Sequence, residues 1–201
     1  SSAVATGVTE IHSTKYAYAA LKTDGSVVTW GKTDRGGDSS TVSNSLTSGV
    51  IKIYSTERAF AVIKDDGSVI TWGDSSYGAD SSSVSSSLTS GVSKIYSNNT
   101  AFAALKADGS LITWGNSSNG GNSSSVSSSL ALGVKKVFPN YYAFAALKTD
   151  GSLVTWGNSS YGGSLTSPIN VSSAVASGVT EIHSTKYAFA ALKSDGSVIT
   201  W

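Results

Sequence analysis

Carboxylates recur at a fixed place in this sequence, and two carboxylates that face one substrate bond can catalyse glycoside hydrolysis. The aspartates that precede a glycine are Asp24, Asp66, Asp108, Asp150 and Asp195. An Asp-Gly pair is typical of a tight hairpin turn, where Asp binds nearby backbone N–H groups and glycine accepts a positive φ angle. We therefore interpret these carboxylates as turn residues. The sequence also lacks cysteine, a phosphate-binding loop and a serine nucleophile motif, so we expect no catalytic residues and no enzyme activity.

Polar loop residues also recur at two positions where oxygen ligands could gather around calcium. The first position holds Asp38, Asp80, Asn122 and Ser164, and the second holds Lys32, Asp74, Asn116 and Asn158. Because every copy supplies too few ligands and one position includes a lysine, we predict no metal site, and we expect no cofactor. His12 and His183 share their position with Tyr54, Tyr96 and Phe138 in the other copies. That exchange indicates a position for aromatic packing.

Loop aromatic, arginine and amide side chains are the better candidates for binding. Tyr77 and Tyr161 lie beside glycines in equivalent loops, and Arg35 accompanies them. Asn116 and Asn158 lie in loops of the same kind. Repeated exposed groups favour shallow sites with weak, multivalent contacts. We expect protein or carbohydrate partners, with copies of the chain itself among the candidates.

Repeated hairpins are the elements that would position these loops. In each, an apolar run meets the Asp-Gly turn and a second apolar run ends in tryptophan. The tryptophans are Trp30, Trp72, Trp114, Trp156 and Trp201, separated by 42, 42, 42 and 45 residues. A period near 40 residues with several short strands indicates a radial or solenoidal repeat array.

Four apolar pieces make up each copy, and the third copy shows them clearly. Around Val84 we predict a short edge strand, with Val42, Val126 and Val175 at the equivalent places. Residues 92–96 alternate, which groups Val92 with Lys94 and Tyr96 on one strand face. Residues 101–105 are apolar on both faces, as in a strand that is covered from both sides. The fourth piece is 111–114, and the longer fourth connection, 157–178, contains Pro168.

The repeated pattern resembles the repeats of the RCC1 family. The resemblance rests on Gly178-Val179-Thr180-Glu181-Ile182, on the run from Ala191 to Trp201, and on Trp156-Gly157-Asn158-Ser159-Ser160-Tyr161-Gly162. It implies an all-β, β-propeller-type array of five four-stranded blades. This array is either a closed ring or a segment of a larger propeller or open superhelix. We expect a single array over 1–201, with blades at about 1–30, 31–72, 73–114, 115–156 and 157–201.

Composition limits the classes of partner. The net charge is +1 and 13% of residues are charged, so we expect no nucleic-acid partner. No apolar run approaches the roughly 18–20 residues that cross a bilayer, so we expect no membrane insertion. Loops rich in Ser, Thr, Asn and Gly favour an extracellular or cell-surface location.

These observations favour a non-catalytic repeat module of a larger surface or secreted protein, serving structural display, adhesion or self-assembly. One alternative is a propeller that binds saccharides or proteins through its repeated rim loops. The other, which the resemblance implies, is an intracellular RCC1-like regulator of a small GTPase. Because a fold does not determine a function, the choice among them depends on the site.

Overall fold

The computed structural model describes residues 6–167 and 170–201, and β-strands dominate it. In these residues, fifteen strands form five separate sheets of three antiparallel strands each. The strands are β1 (Val8–Ser13), β2 (Ala17–Lys22), β3 (Val27–Gly31), β4 (Val50–Ser55), β5 (Ala59–Lys64), β6 (Val69–Gly73), β7 (Val92–Ser97), β8 (Ala101–Lys106), β9 (Leu111–Gly115), β10 (Val134–Pro139), β11 (Ala143–Lys148), β12 (Leu153–Gly157), β13 (Val179–Ser184), β14 (Phe189–Lys193) and β15 (Val198–Thr200). None of the helices described is long and apolar enough to cross a membrane. Pro168 lies outside the described residues.

Each sheet, which we call a blade, contains the predicted Asp-Gly hairpin between its second and third strands. In the third blade, Phe102 pairs with Trp114 across β8 and β9. The carboxylate of Asp108 accepts hydrogen bonds from the backbone N–H of Ser110 at 2.9 Å and from its hydroxyl at 2.6 Å. The same carboxylate–serine contact closes the other four hairpin turns. The hairpins and their turns are therefore confirmed.

The first strand of each blade does not alternate as the sequence predicts. Val92 and Ile95 are both buried, whereas Lys94 is exposed and Tyr96 is half-buried. The cause is a β-bulge between Val92 and Lys94, where the pairing with β8 shifts by one residue. A bulge sets two residues against one partner and so breaks the regular alternation. Since the shift recurs in all five first strands, the predicted grouping of Val92 with Lys94 and Tyr96 is wrong.

The middle strands of the three central blades, β5, β8 and β11, are buried on both faces, as predicted. In β5, Phe60 and Val62 pack into one apolar cluster with the first blade. Ala59, Ala61 and Ile63 point to the other side and pack with the third blade. We call the side of a blade that meets the preceding blade its first face, and the opposite side its second face. No blade therefore encloses its own core, because each apolar cluster is shared between two blades.

The predicted fourth strand is absent from the described part of every blade, and short helices occupy most of its places. Among the described residues, the 3-10 helices are Thr33–Arg35, Ser40–Leu46, Ser75–Tyr77, Ser82–Leu88, Ser117–Asn119, Ser124–Val126 and Ser159–Tyr161, and Ser127–Leu130 is an α-helix. Val84 and Leu88 of the helix Ser82–Leu88 both pack into the cluster between the second and third blades. Asp80, which precedes the N-cap residue Ser81, accepts the N–H of Ser82 at 2.9 Å. Near Val175, the equivalent segment forms turns.

The tryptophans join neighbouring blades. The indole N–H of Trp72 donates to the carbonyl of Gly36 in the preceding connection at 3.0 Å, and Trp114 donates in the same way to Gly78 at 3.0 Å. Trp156 and Trp201 repeat the bond. Each of these indoles also stacks on the phenylalanine beside it, as Trp114 does on Phe102 at 5.3 Å between ring centroids. These four tryptophans therefore pack between blades.

The described sheets do not close into a ring. Ile11 on the first face of the first blade and Val198 on the second face of the last blade are both exposed. A closed ring would bury both side chains in a fifth shared cluster. The closed five-bladed ring is therefore not supported.

Candidate functional site

One edge of the array is built from two kinds of turn, which we together call the turn edge. The first kind joins the first two strands of each blade and comprises residues 14–16, 56–58, 98–100, 140–142 and 185–187. The second kind is the 3-10 turn after the third strand and comprises residues 33–35, 75–77, 117–119 and 159–161. Within a blade the two turns are bonded, since the hydroxyl of Thr56 donates to the carbonyl of Tyr77 at 2.8 Å. Between blades the backbone N–H of Glu57 donates to the carbonyl of Asn99 at 3.0 Å.

Asn116 and Asn158, two of the predicted binding residues, cap these 3-10 turns. The side chain of Asn116 accepts the N–H of Ser118 at 3.1 Å, and Asn158 accepts the N–H of Ser160 at 3.1 Å. Asp74 occupies the same place in the second blade and accepts from Ser76. These side chains therefore fix the shape of the turn edge.

Arg35 and Tyr77, two further predicted residues, lie together with two residues that the sequence did not single out. We call Tyr16, Arg35, Arg58 and Tyr77 the arginine–tyrosine patch. The guanidinium of Arg58 lies 4.3 Å from the ring centroid of Tyr77 and 5.6 Å from that of Tyr16. Arg35 lies 4.9 Å from the ring of Tyr16. These are distances at which an arginine binds an aromatic face.

Carboxylates balance much of the charge of this patch. Arg58 Nε lies 3.4 Å from a carboxylate oxygen of Glu57, and its Nη1 lies 3.8 Å from one of Asp74. Arg35 Nε lies 3.6 Å from a carboxylate oxygen of Asp34. Such contacts orient a guanidinium, although partly exposed ion pairs of this kind stabilise a protein by only about 0–1 kcal/mol.

Tyr161 lies in a second group, 84 residues after Tyr77 in the sequence. We call Tyr141, Tyr142, Tyr161 and Tyr187 the tyrosine patch. The ring of Tyr142 lies 4.8 Å from the rings of Tyr141 and Tyr161, and Tyr161 lies 5.2 Å from Tyr187. Desolvation, followed by the nearby phenols of Tyr141 and Tyr187, raises the pKa of Tyr142. This phenol is therefore neutral at physiological pH and can donate a hydrogen bond.

The third blade separates the two patches with polar side chains. Asn119 occupies the position of Tyr77 and Tyr161, and its amide donates to the hydroxyl of Thr100 at 3.1 Å. The amide of Asn98 donates in turn to the carbonyl of Asn119 at 2.6 Å. At these positions the third blade therefore has neither an aromatic ring nor a cation, and its polar groups form hydrogen bonds with one another.

Sequence reasoning missed half of the arginine–tyrosine patch and three of the four residues of the tyrosine patch, although the repeat carried a signal for most of them. Tyr16, Arg58, Tyr142 and Tyr187 are at one position of the repeat, where the third copy has Thr100. Residues that fill the shared clusters hardly vary between copies, because each must fit the same neighbours. A position that changes from tyrosine to arginine to threonine in such uniform repeats is free of that packing requirement. This kind of variation identifies positions outside the shared clusters.

The two histidines do not pack as predicted. Tyr54, Tyr96 and Phe138 at the equivalent position do pack against the shared clusters. His12, however, lies 2.8 Å from a carboxylate oxygen of Glu10, and His183 makes the same contact with Glu181 at 3.2 Å. Hydrogen bonds from His12 and then from Lys52 lower the pKa of Glu10. Glu10 is therefore an anion held between two basic side chains.

The two loop positions considered for calcium bind backbone instead. Asp38 accepts the N–H of Ser40 at 2.8 Å, and Asn122 accepts that of Ser124 at 2.9 Å. In residues 6–167 and 170–201, no three His, Cys, Asp or Glu side chains gather as a metal-binding group would. A cavity of about 240 Å³ lies beside the tyrosine patch and is lined in part by Gly162, Tyr187 and Trp201.

The chain is thus an array of propeller-type β-sheets that presents tyrosine and arginine on one edge. No protein-family model matches the sequence, and no curated protein sequence matches it. Solved structures do match. Prp20p from Saccharomyces cerevisiae, whose title names binding to Gsp1p and histones, gives a TM-score of 0.58 at 15% identity and covers 96% of this chain and 56% of its own. In another structure, of yeast RCC1 (Prp20) with Kap60 bound, the TM-score is 0.57 at 16% identity.

Two further similar structures come from other organisms. The CRINKLY WD40 ectodomain of the receptor kinase ACR4 from Arabidopsis thaliana gives a TM-score of 0.53 at 14% identity, covering 96% of this chain and 64% of that one. Human WBSCR16 gives 0.52 at 18% identity, covering 96% and 61%. This chain therefore spans less than two thirds of each structure. Identities this low show the fold alone, and they support an RCC1-like β-repeat fold.

Proposed function

We propose that this chain is a non-catalytic module that binds a protein partner on its turn edge. The tyrosine patch carries the proposal, because four aromatic rings lie in mutual contact on turns that backbone hydrogen bonds hold in place. Tyr and Arg are enriched among the residues that contribute most to protein interfaces. Turns that are already rigid lose little conformational entropy on binding.

The titles of the similar structures also favour a protein partner. Prp20p is titled for binding to Gsp1p and histones, and yeast RCC1 (Prp20) was solved with Kap60. The arginine–tyrosine patch adds a second contact area on the same edge. Two separated patches suit a partner that is large enough to span a blade, and simultaneous contact with both would raise the affinity.

We also propose that the module serves display or adhesion in a larger surface-exposed or secreted protein. The support is its composition, because loops rich in Ser, Thr, Asn and Gly with only 13% charged residues are typical of extracellular repeat proteins. Regulation of a small GTPase is the rival proposal, supported only by the likeness to RCC1 repeats. If the chain does not accelerate nucleotide release from small GTPases, that rival is rejected.

The binding proposal can be tested by probing a displayed peptide and protein-domain library and a glycan array with the purified chain. We expect protein or peptide ligands, with affinity reduced about 30-fold or more in the double variant Tyr142→Ala/Tyr161→Ala. Asn119→Ala is the matched control, because it alters the same repeat position between the patches. Its affinity should not change.

Two results would contradict the proposal. Ligands that bind the double variant as tightly as the unaltered chain would exclude the tyrosine patch. Selection of glycans alone, lost in the same double variant, would establish the saccharide alternative.

A further inference from the structure

The outer edge of β9, the third strand of the third blade, has no partner strand among the described residues. β9 pairs with β8 alone, because the segment that was predicted to form a fourth strand is the helix Ser82–Leu88. A strand at the edge of a sheet presents a row of backbone N–H and carbonyl groups, and such a row is a template for pairing with another chain. The edge of β9 is therefore a candidate binding surface.

The pairing pattern of the blades directs the backbone of Thr113 outward from this edge. In the last blade, Phe189 and Trp201 exchange two backbone hydrogen bonds, at 2.9 and 3.1 Å. Phe102 and Trp114 are the equivalent pair in the third blade, so Trp114 bonds inward to β8. Because the bonds of an antiparallel pair alternate, the next residue, Thr113, directs its N–H and carbonyl away from β8. Within the described residues, no hydrogen bond reaches these two groups.

A groove of about 490 Å³ runs along the same edge. Ile112 lines it and packs into the cluster on the first face of the blade, whereas Leu111 lines it and packs into the cluster on the second face. Residues on opposite faces of a strand line one groove only where that groove lies at the edge of the strand. The groove therefore gives access to the outward backbone of Thr113, which also lines it.

The groove has a wall on each side. Ser83 and Val84 belong to the preceding helix, and they lie on the first-face side because Val84 packs into the cluster there. Ser123 belongs to the following loop, and its hydroxyl accepts a hydrogen bond from Thr113 at 2.9 Å on the second-face side. The space between the walls therefore suits one extended strand beside β9.

The fourth blade has an equivalent groove of about 520 Å³ along β12. Its lining includes the equivalent residues Ser125, Val126, Leu153, Val154 and Thr155. The backbone N–H of Leu153 donates to the carbonyl of Val175 at 3.1 Å, so this edge already bonds the backbone of a segment outside its sheet. The hydroxyl of Thr155, which is 6% exposed, has no hydrogen-bond partner among the described residues. Such buried groups are uncommon in folded proteins, and a bound segment would supply a partner.

We infer that each of these two grooves binds an extended peptide segment of a protein partner, which adds a fourth strand to the blade. In this mode of recognition, main-chain bonds to the sheet edge give affinity, and side-chain contacts with the groove give specificity. The residues that line the two grooves include no charged side chain, so the segment should direct uncharged residues towards them. Since β9 has five residues, the paired stretch spans about 17 Å.

A single strand fits these grooves better than a second copy of the chain. The third strand of a copy carries the same helix wall and loop wall beside its own edge, so two such edges would bring their walls into collision. A single extended segment carries no walls. This inference does not depend on binding at the turn edge.

Selection from a displayed peptide library tests the inference on the whole chain. Linear peptides of about eight residues, longer than the five of β9, would be selected on the unaltered chain after depletion on the double variant Ser83→Arg/Ser125→Arg. Both serines are exposed and line the grooves, so the variant should fold normally while its arginines obstruct binding. We expect peptides with uncharged residues, whose affinity falls about tenfold or more in this variant.

The matched control is Ser86→Arg/Ser128→Arg, which adds the same two charges on the same two connections. Ser86 and Ser128 are also exposed but do not line either groove. This variant should bind the selected peptides like the unaltered chain. Tyr142→Ala/Tyr161→Ala should also bind them normally, so a failure at the grooves is distinguishable from a failure at the turn edge.

Two measurements identify strand pairing as the mode of binding. N-methyl groups on every second residue of a selected peptide should weaken binding about tenfold or more in one register and leave it unchanged in the other, because a strand bonds a sheet edge through alternate N–H groups. Amide hydrogen exchange of Thr113 should slow when the peptide is added, whereas that of Trp114, which already bonds β8, should change little.

Four results would overturn the inference. They are recovery of no peptide after the depletion, the same effect of methylation in both registers, no slowing of exchange at Thr113, and self-association of the unaltered chain that Ser83→Arg/Ser125→Arg abolishes. The last of these would show that a second copy occupies the grooves.

Discussion

Replacing equivalent aromatic residues in a central and an end blade should give very different losses of stability. Phe102 is 0% exposed, stacks on Trp114 at 5.3 Å, and lies against Gly78 of the preceding connection. Phe102→Ala removes this side chain from a closed site, and such changes cost about 3–5 kcal/mol. Tyr18 holds the same place in the first blade but is 48% exposed. Because only about half of the Tyr18 side chain is buried and its removal leaves no closed cavity, Tyr18→Ala should cost about 1–2 kcal/mol of unfolding free energy.

Urea unfolding followed by circular dichroism measures both losses. The unaltered chain and both variants would be compared by their midpoints and slopes, since a variant that changes only the midpoint has changed stability. Single Tyr18→Phe serves as the control for the phenol group. If Tyr18→Ala costs as much as Phe102→Ala, the blades bury their own faces, and the proposed dependence on neighbours is refuted.

Three further changes probe single interactions. Trp114→Phe removes the indole N–H that joins two blades and should lower the free energy of unfolding in urea by about 1–3 kcal/mol. Gly67→Ala should destabilise the protein more than Gly196→Ala. Both glycines have a positive φ, but an added Cβ at Gly67 meets the backbone nitrogen of Gly91 at 2.7 Å, whereas one at Gly196 meets nothing within 4 Å. Equal losses of stability in the same assay would contradict this prediction. Hydrogen bonds from the hydroxyl and then from the N–H of Ser110 hold the pKa of Asp108 below its ordinary value of 3.8. The stabilisation of the fold by these bonds is therefore present above pH 3.8 and is lost as the pH falls through the lowered pKa of the folded state. The stability difference between the unaltered chain and Ser110→Ala should therefore be largest at neutral pH and shrink as the pH falls below 3.8. A difference that stays constant with pH would contradict this prediction.

The hairpins and the shared burial could be predicted from the sequence because local chemistry determines both. An Asp-Gly turn requires a glycine with positive φ, and Gly109 has a φ of 81°. Strand β8 is apolar at every position from Ala101 to Ala104, so both of its faces require a neighbour. These features do not depend on how the blades are arranged.

The fourth strand was predicted wrongly because these serine-rich segments contain too few apolar residues to show a helical or a strand period. Val84 and Leu88 lie four residues apart, a spacing that is compatible with one face of a strand, so this spacing alone does not separate a strand from a helix. Asp80 accepts the N–H of Ser82, the first residue of the helix, a short-range contact that is typical of turns and helix starts. The bulge at Val92 could not be predicted, because it depends on the register with β8 and leaves no residue signature.

The binding residues were predicted in part. Arg35, Tyr77 and Tyr161 were found because they lie beside glycines in repeated loops, and all three are on the turn edge. Arg58 and Tyr142 come from a different turn, and only the three-dimensional contact between the two turns brings them together. The role of Asn158 as a cap depends on the backbone geometry of a 3-10 turn.

Amide hydrogen exchange, resolved residue by residue in the whole chain, tests most directly whether neighbours seal each blade. In an array of this kind the end units open more readily than the central ones. We predict that amides of β5, β8 and β11, which have a blade on each side, exchange more slowly than the equivalent amides of β2 and β14. Equal protection in all five middle strands, or greater protection at the ends, would contradict the account.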